Sequence, residues 1–195
     1  MDGMQWMASA MQAARAQLET ATHNLANVSS DGFRRAAAHL ELTEHGLVAG
    51  ETRTFAQGAI RHTGRALDLA LLGPGEFRVG AAATRNGAFV TDRDGWLTDD
   101  RGRRVAGTRG PIAITAKTTI AADGDVRANG RSVNRIPLPP GTHVQTGALE
   151  TSNVDAIGET LAILNAQRAY ETAQKVLVAI DDTRQKAVND VGRLK

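Results

Sequence analysis

Residues that interrupt helices are confined almost entirely to the middle of this chain. Sixteen of its 20 glycines and all 5 prolines lie between Gly46 and Gly147. Both residue types punctuate strands and loops and are avoided in helix interiors. The two flanking segments are therefore free to form long helices, and the middle is not. The expected order is helix, β-rich middle, helix, an α+β class.

Each flank carries a sustained helical seam. Met4, Met7, Met11, Ala14, Leu18, Ala21, Leu25 and Val28 alternate at spacings of 3 and 4, the repeat of a coiled-coil face. The turn cluster Ser29-Ser30-Asp31-Gly32 ends the first helix near Asn27. Ile163, Ala166, Tyr170, Ala173, Leu177, Ile180, Arg184, Ala187, Val191 and Leu194 repeat the pattern. Ser152 or Asn153 is placed to cap this second helix, with Glu159 in an early turn where negative charge suits the helix dipole.

Neither helix can bury its seam against itself, so the simplest arrangement pairs the two ends of the chain as a coiled-coil stalk. Residues 1–35 with 150–195 then form a discontinuous stalk, 36–60 a connecting segment and 61–149 an inserted antiparallel β domain. Met4, Met7, Met11, Leu18, Leu25, Val28, Ile163, Tyr170, Leu177, Ile180, Val191 and Leu194 are the expected helix-pairing and assembly residues. Seams this long at both termini exceed what a small domain needs and point to assembly.

The middle reads as short strands. Leu67–Leu71, Phe77–Val79 and Ile112–Ile114 alternate with period 2. Gly73-Pro74-Gly75, Asn86-Gly87, Asp94-Gly95, Arg101-Gly102, Asp123-Gly124 and Asn129-Gly130 supply turns. Phe55, Phe77, Phe89 and Trp96 are the expected aromatic core.

Composition removes most chemistry. The absence of cysteine excludes disulfide scaffolds, thiol nucleophiles and Cys-based metal sites. A net charge of +2 is too small an excess to imply a nucleic-acid or membrane partner. The longest apolar stretch, Leu67–Leu72, is interrupted by Asp68 and cannot span a bilayer. No cleavable signal is visible after Met1-Asp2-Gly3, which by itself suggests a cytoplasmic protein.

Asp92-Arg93-Asp94-Gly95 resembles the start of a calcium loop, but Arg103 stands where the bidentate Glu belongs, so a hairpin turn is expected. His23, His39, His45, His62 and His143 lack metal-ligand spacing. The cluster Arg101, Arg103, Arg104 and Arg109 follows Asp92, Asp94, Asp99 and Asp100 and reads as a salt-bridged surface. No nucleophile–base or paired-carboxylate constellation appears. No catalytic, cofactor or metal residue is expected, and no small-molecule substrate.

The run Asn24-Leu25-Ala26-Asn27 through Gly32-Phe33-Arg34-Arg35 resembles the N-terminal signature of flagellar rod and hook proteins. Leu149-Glu150-Thr151-Ser152-Asn153-Val154-Asp155 is similar to the start of that family's C-terminal helix, and Gln167-Arg168-Ala169-Tyr170-Glu171 to its continuation. Thr63–Ala70, Thr84–Phe89 and Ile120–Gly124 agree with rod subunits in the middle. The stretches between Arg35 and Phe55 and between Val133 and Thr146 are short for the family, and Glu76 stands where an aromatic is usual.

The resemblance implies a structural subunit of the basal-body rod, the axial shaft that crosses the periplasm, transmits torque and encloses the export channel. It implies partners among its own copies, other rod and hook proteins and the flagellar type III exporter, with export lacking a cleaved signal peptide. In that reading Gly32 permits the bend after the first helix and Phe33 anchors it. The alternative is a secreted β-domain binding module whose coiled-coil termini only oligomerise it.

Overall fold

The breaker-free ends form the two helices. In the computed structural model, which describes residues 3–44 and 46–193, α1 spans Gly3–Ala26 and α2 spans Ala156–Arg193. The 38 residues of α2 give a rod about 57 Å long at about 1.5 Å per residue. Its cap is Asp155, whose Oδ1 accepts the Ile157 N–H at 3.1 Å. The expected cap at Ser152 or Asn153 is thus displaced. A cap must directly precede the first helical residue, and the Asn153 amide instead donates to the Ala56 carbonyl at 2.7 Å. Among the described residues no helix is long and apolar enough to cross a membrane.

Contacts divide the chain into two units. The first holds the described residues of 1–27, 35–54 and 154–195; the second holds 28–34 and 55–153.

In the first unit α1 and α2 run antiparallel. Asn24, late in α1, meets Glu159 in the opening turns of α2, and Met4 meets Arg184. Strands β1 (Ala36–Thr43) and β2 (Gly46–Arg53) form a hairpin with Ala36 opposite Arg53 and Thr43 opposite Gly46. Ala36, Ala38, Leu40 and Leu42 share one face of it with Leu47 and Ala49, by register. The Leu47 N–H donates to Ser9 Oγ of α1 at 3.2 Å, which ties β2 to that helix.

The second unit is built from short strands, as the turn spacing requires. In chain order these are β3 (Ile60–His62), β4 (Leu69–Leu72), β5 (Phe77–Val79), β6 (Ala82–Thr84), β7 (Val90–Thr91), β8 (Leu97–Thr98) and β9 (Ala106–Gly107). There follow β10 (Gly110–Pro111), β11 (Thr118–Ile120), β12 (Asp125–Ala128), β13 (Arg131–Arg135), β14 (His143–Thr146) and β15 (Ala148–Glu150). All pairings are antiparallel, and β3 with β15 and β4 with β14 tie the beginning of the β region to its end.

The core comprises Leu69, Leu71, Phe77, Val79, Phe89, Leu97, Val105, Ile112, Val126, Ile136 and Val144. Phe77 and Phe89 meet edge to face at 5.1 Å, a favoured aromatic geometry.

Particular expectations change here. Phe55 is not in this core; it is 80% exposed, and the Arg34 guanidinium lies 5.3 Å over its ring. It falls in residues 54–59, which join no strand. Leu67–Leu71 does not alternate, because Asp68, Leu69, Ala70 and Leu71 are all buried. Ile112 is buried and Ala113 exposed, yet the segment forms no named strand and is held by bonds to Val105 and Leu97.

The Asp92 turn is as expected. Asp92 Oδ1 accepts the N–H groups of Asp94 and Trp96, turning the chain between β7 and β8. In the basic cluster, Arg103 pairs with Asp99 at 2.7 Å. Arg104 lies 4.9 Å over the Trp96 ring.

Asp99 and Asp125 are two carboxylates of this unit that their partners hold acidic. Burial would raise the Asp99 carboxyl, but bonds from the Arg103 side chain and from the Arg103 and Arg101 amides hold it below the usual carboxylate range. Bonds from Arg127 and Ser132 hold Asp125 low as well. Folding depresses both pKa values, so their stabilisation is present above the unfolded carboxylate pKa and is lost as pH falls through the folded ones. We expect the urea midpoint to drop below about pH 4. The drop should be shallower in an Asp99→Asn/Asp125→Asn variant, as followed by Trp fluorescence.

Candidate assembly interface

The seam residues divide by depth. On α1, Ala13, Ala14 and Ala21 are buried, whereas Met4, Met7, Met11, Leu18 and Leu25 are half-buried. On α2, Ala166 and Ala173 are buried, Ile163, Leu177 and Ile180 are half-buried, and Tyr170 is exposed along one edge. The side chain of Val191, and Leu194 altogether, lie outside the described residues. Small residues thus fill the centre of the helix pair, and the large ones keep apolar surface in water. Buried alanines supply little transfer energy, since stabilisation scales at about 25 cal/mol per Å² of apolar area.

A polar clamp fixes the pair. Asn24 is fully buried. Its Oδ1 accepts the Ala36 N–H at 2.9 Å, and its Nδ2 donates to the Ala36 carbonyl at 2.7 Å and to Glu159 at 3.2 Å. Arg35 donates to the other Glu159 oxygen at 2.5 Å. One side chain therefore joins α1, the start of the hairpin and the first turns of α2. Buried polar groups are tolerated only when hydrogen-bonded, so this arrangement fixes the register of three elements. Asn24 is a signature residue; the roles of Glu159 and Arg35 were not readable from sequence. The available sign was an Asn beside an apolar seam together with an acid early in the second helix.

The remaining signature residues fall in both units. In the first, Ala26 is exposed, Val154 is half-buried, and Asn27 closes α1 by donating to the His23 carbonyl at 2.9 Å. Gln167, Arg168 and Glu171 are exposed on α2. In the second, Val28, Gly32, Phe33, Ser152 and Asn153 are half-buried. Gly32 has φ +67°, and a Cβ there would strike the backbone of Arg85 and Asn86. Its N–H donates to the Glu150 carbonyl at 2.6 Å, and the Phe33 carbonyl accepts the Asn153 N–H. The N-terminal signature is thereby zipped to the Leu149–Asn153 segment.

Beneath that zipper lies a buried ion pair that sequence reasoning also missed. Arg85 donates to Glu150 at 2.8 Å and to the carbonyls of Gly73, Gly75 and Leu71. Glu150 in turn accepts the Gly58 N–H at 3.1 Å. The planar fork of donors matches this ring of acceptors in a way that Lys cannot.

A second apolar surface runs along α2. Ile157, Leu161 and Leu164 are 74%, 56% and 45% exposed. They recur at i, i+4 and i+7, opposite the buried line of Glu159, Ala166 and Ala173.

Removing the clamp tests its weight. Asn24→Ala strips the partners from the buried Ala36 amide and should cost about 2–4 kcal/mol. Asn24→Asp sets a carboxylate against Glu159 and should cost more at neutral pH than at mildly acidic pH. Urea denaturation followed by far-UV circular dichroism measures both.

Residues 4–34 match the family model described as Flagella basal body rod protein, and residues 145–190 match that described as Flagellar basal body rod FlgEFG protein C-terminal. The chain is 31% identical to Flagellar basal-body rod protein FlgF of Escherichia coli (strain K12), over 93% of this chain and 94% of that protein. It is 27% identical to Flagellar basal-body rod protein FlgF of Caulobacter vibrioides, over 92% and 94%. It is 28% identical to Flagellar basal-body rod protein FlgG of Agrobacterium fabrum, over 90% and 94%. The first alignment runs over 238 positions against a chain of 195 residues, so that relative carries segments this chain lacks.

Proposed function

Since the chain belongs to the flagellar basal-body rod protein family, we propose that its structural role is as a subunit of the axial shaft that crosses the periplasm. There it transmits torque and encloses the export channel. One observation carries this reading. The two matched segments, from opposite ends of the chain, cover nearly all of α1 and α2, which pack together in one unit and leave their large apolar residues half-buried or exposed.

In this reading residues 1–35 with 150–195 pair as a coiled-coil stalk, 36–60, which include the β1–β2 hairpin of the first unit, connect, and 61–149 form the β domain. Met4, Met7, Met11, Leu18, Leu25, Ile163, Tyr170, Leu177, Ile180, Val191 and Leu194 carry pairing and assembly, and Val28, which lies beyond the end of α1 in the second unit, assembly alone. Partners are further copies and other rod and hook proteins, and the subunit leaves the cell through the flagellar type III exporter. Torque suits such a design. A shaft made of helix pairs whose apolar faces are completed by neighbours resists shear through packing at native density.

Deleting the gene should abolish swimming while growth is unchanged, as soft-agar spreading and electron microscopy of basal bodies would show. Normal motility with intact hooks would overturn the proposal. Leu18→Asp or Leu177→Asp should block incorporation into rods. Each loses about 1.5–3 kcal/mol of apolar transfer, and a charge is buried besides. Their β units should stay folded, as near-UV circular dichroism would report.

A further inference from the structure

Resting on the rod reading, we propose that the first unit carries both halves of a head-to-tail joint. The outer ridge of α2 on one copy seats in a cleft between α1, β1 and α2 of the next.

The cleft has a volume of about 400 Å³; six alanines of α1, β1 and α2 wall one half of it, Ala38 and Ala166 among them, and Gln17, Thr20, Asn165 and the clamp residues Asn24, Arg35 and Glu159 wall the other. Short side chains on all three elements leave depth for long ones from outside. The ridge supplies these in Ile157, Leu161 and Leu164, which stay exposed in the single chain.

Charge selects a second copy as the occupant. Thr20 and Ala38 also wall an adjoining cleft, whose ionisable residues are Glu19, His23 and Glu51. On the ridge, Arg168 follows Leu164 by one helical turn, about 6 Å, and Lys175 continues the same line. An apolar ridge continued by cations thus faces a cleft whose alanines take the apolar side chains and whose neighbour offers carboxylates. Glu171 lies to one side of that line, and Arg15 already engages Glu19 at 2.8 Å. Exposed Glu51 is therefore the acceptor for Arg168.

Ridge and cleft occupy different faces of one unit. Such a contact is heterologous, so it links subunits into a ring or an open chain rather than a closed two-fold dimer.

The lack of native cysteine makes cross-linking a clean test. Leu161→Cys and Ala38→Cys chains would be expressed separately, together, and combined in one chain, in a strain deleted for this gene. Basal bodies would then be isolated and oxidised. Co-expression should give a covalent dimer, the doubly substituted chain a ladder, and either single variant alone neither. Cross-linking of Leu161→Cys with itself would mean that ridge packs on ridge and would overturn the joint. So would the absence of any cross-link in basal bodies from swimming cells, which would leave the rod reading intact.

Charge exchange gives a second readout that needs no cysteine. Arg168→Glu or Glu51→Arg alone should lower incorporation into rods about tenfold, and the two together should restore it. A double variant no better than the singles would overturn the pairing. Normal swimming in the deletion strain would instead refute the rod reading itself.

Discussion

A helix with an apolar face and no core of its own cannot stand in water, and this chain has two of them, one at each end. Backbone ordering costs about 1–2 kcal/mol per residue, and a seam centred on alanine returns little of it. α1 and α2 must therefore meet each other, and everything between them must leave the helix pair and return to it. The chain passes between its two units after residues 27, 34, 54 and 153 for that reason.

Apolar packing alone would let two alanine-lined helices slide. The Asn24 clamp prevents this, because any shift of register would leave buried amide and carboxylate groups unpaired. Arg85 and Glu150 serve the second unit in the same manner, holding the Gly73-Pro74-Gly75 turn and the Gly58 amide around one ion pair. A buried ion pair is weak evidence of stability. Its effect here is to make one backbone arrangement the only satisfied one.

What the helices leave open matches what a polymer needs. Large seam residues remain half-buried, and the Ile157, Leu161 and Leu164 ridge is uncovered. A subunit that satisfied all its apolar surface internally would be more stable alone and would have less reason to assemble. The E. coli relative carries segments that this chain lacks, while the family matches at residues 4–34 and 145–190 include these surfaces.

The distribution of glycine and proline and the spacing of the seams fixed by themselves that the ends are helical and the middle is short strands. Those signals are local, and local backbone preference decides them. The turn at Asp92 was legible for the same reason, because an Asx side chain bonds its own neighbours. The hairpin at residues 36–53, the exposure of Phe55, the cap at Asp155 and the polar nodes at Asn24 and Arg85 were decided only by tertiary structure. Each depends on a partner far away in sequence: Glu159 lies 135 residues from Asn24, and Glu150 lies 65 from Arg85. No periodicity reports which buried donor will find which acceptor until the chain has closed on itself.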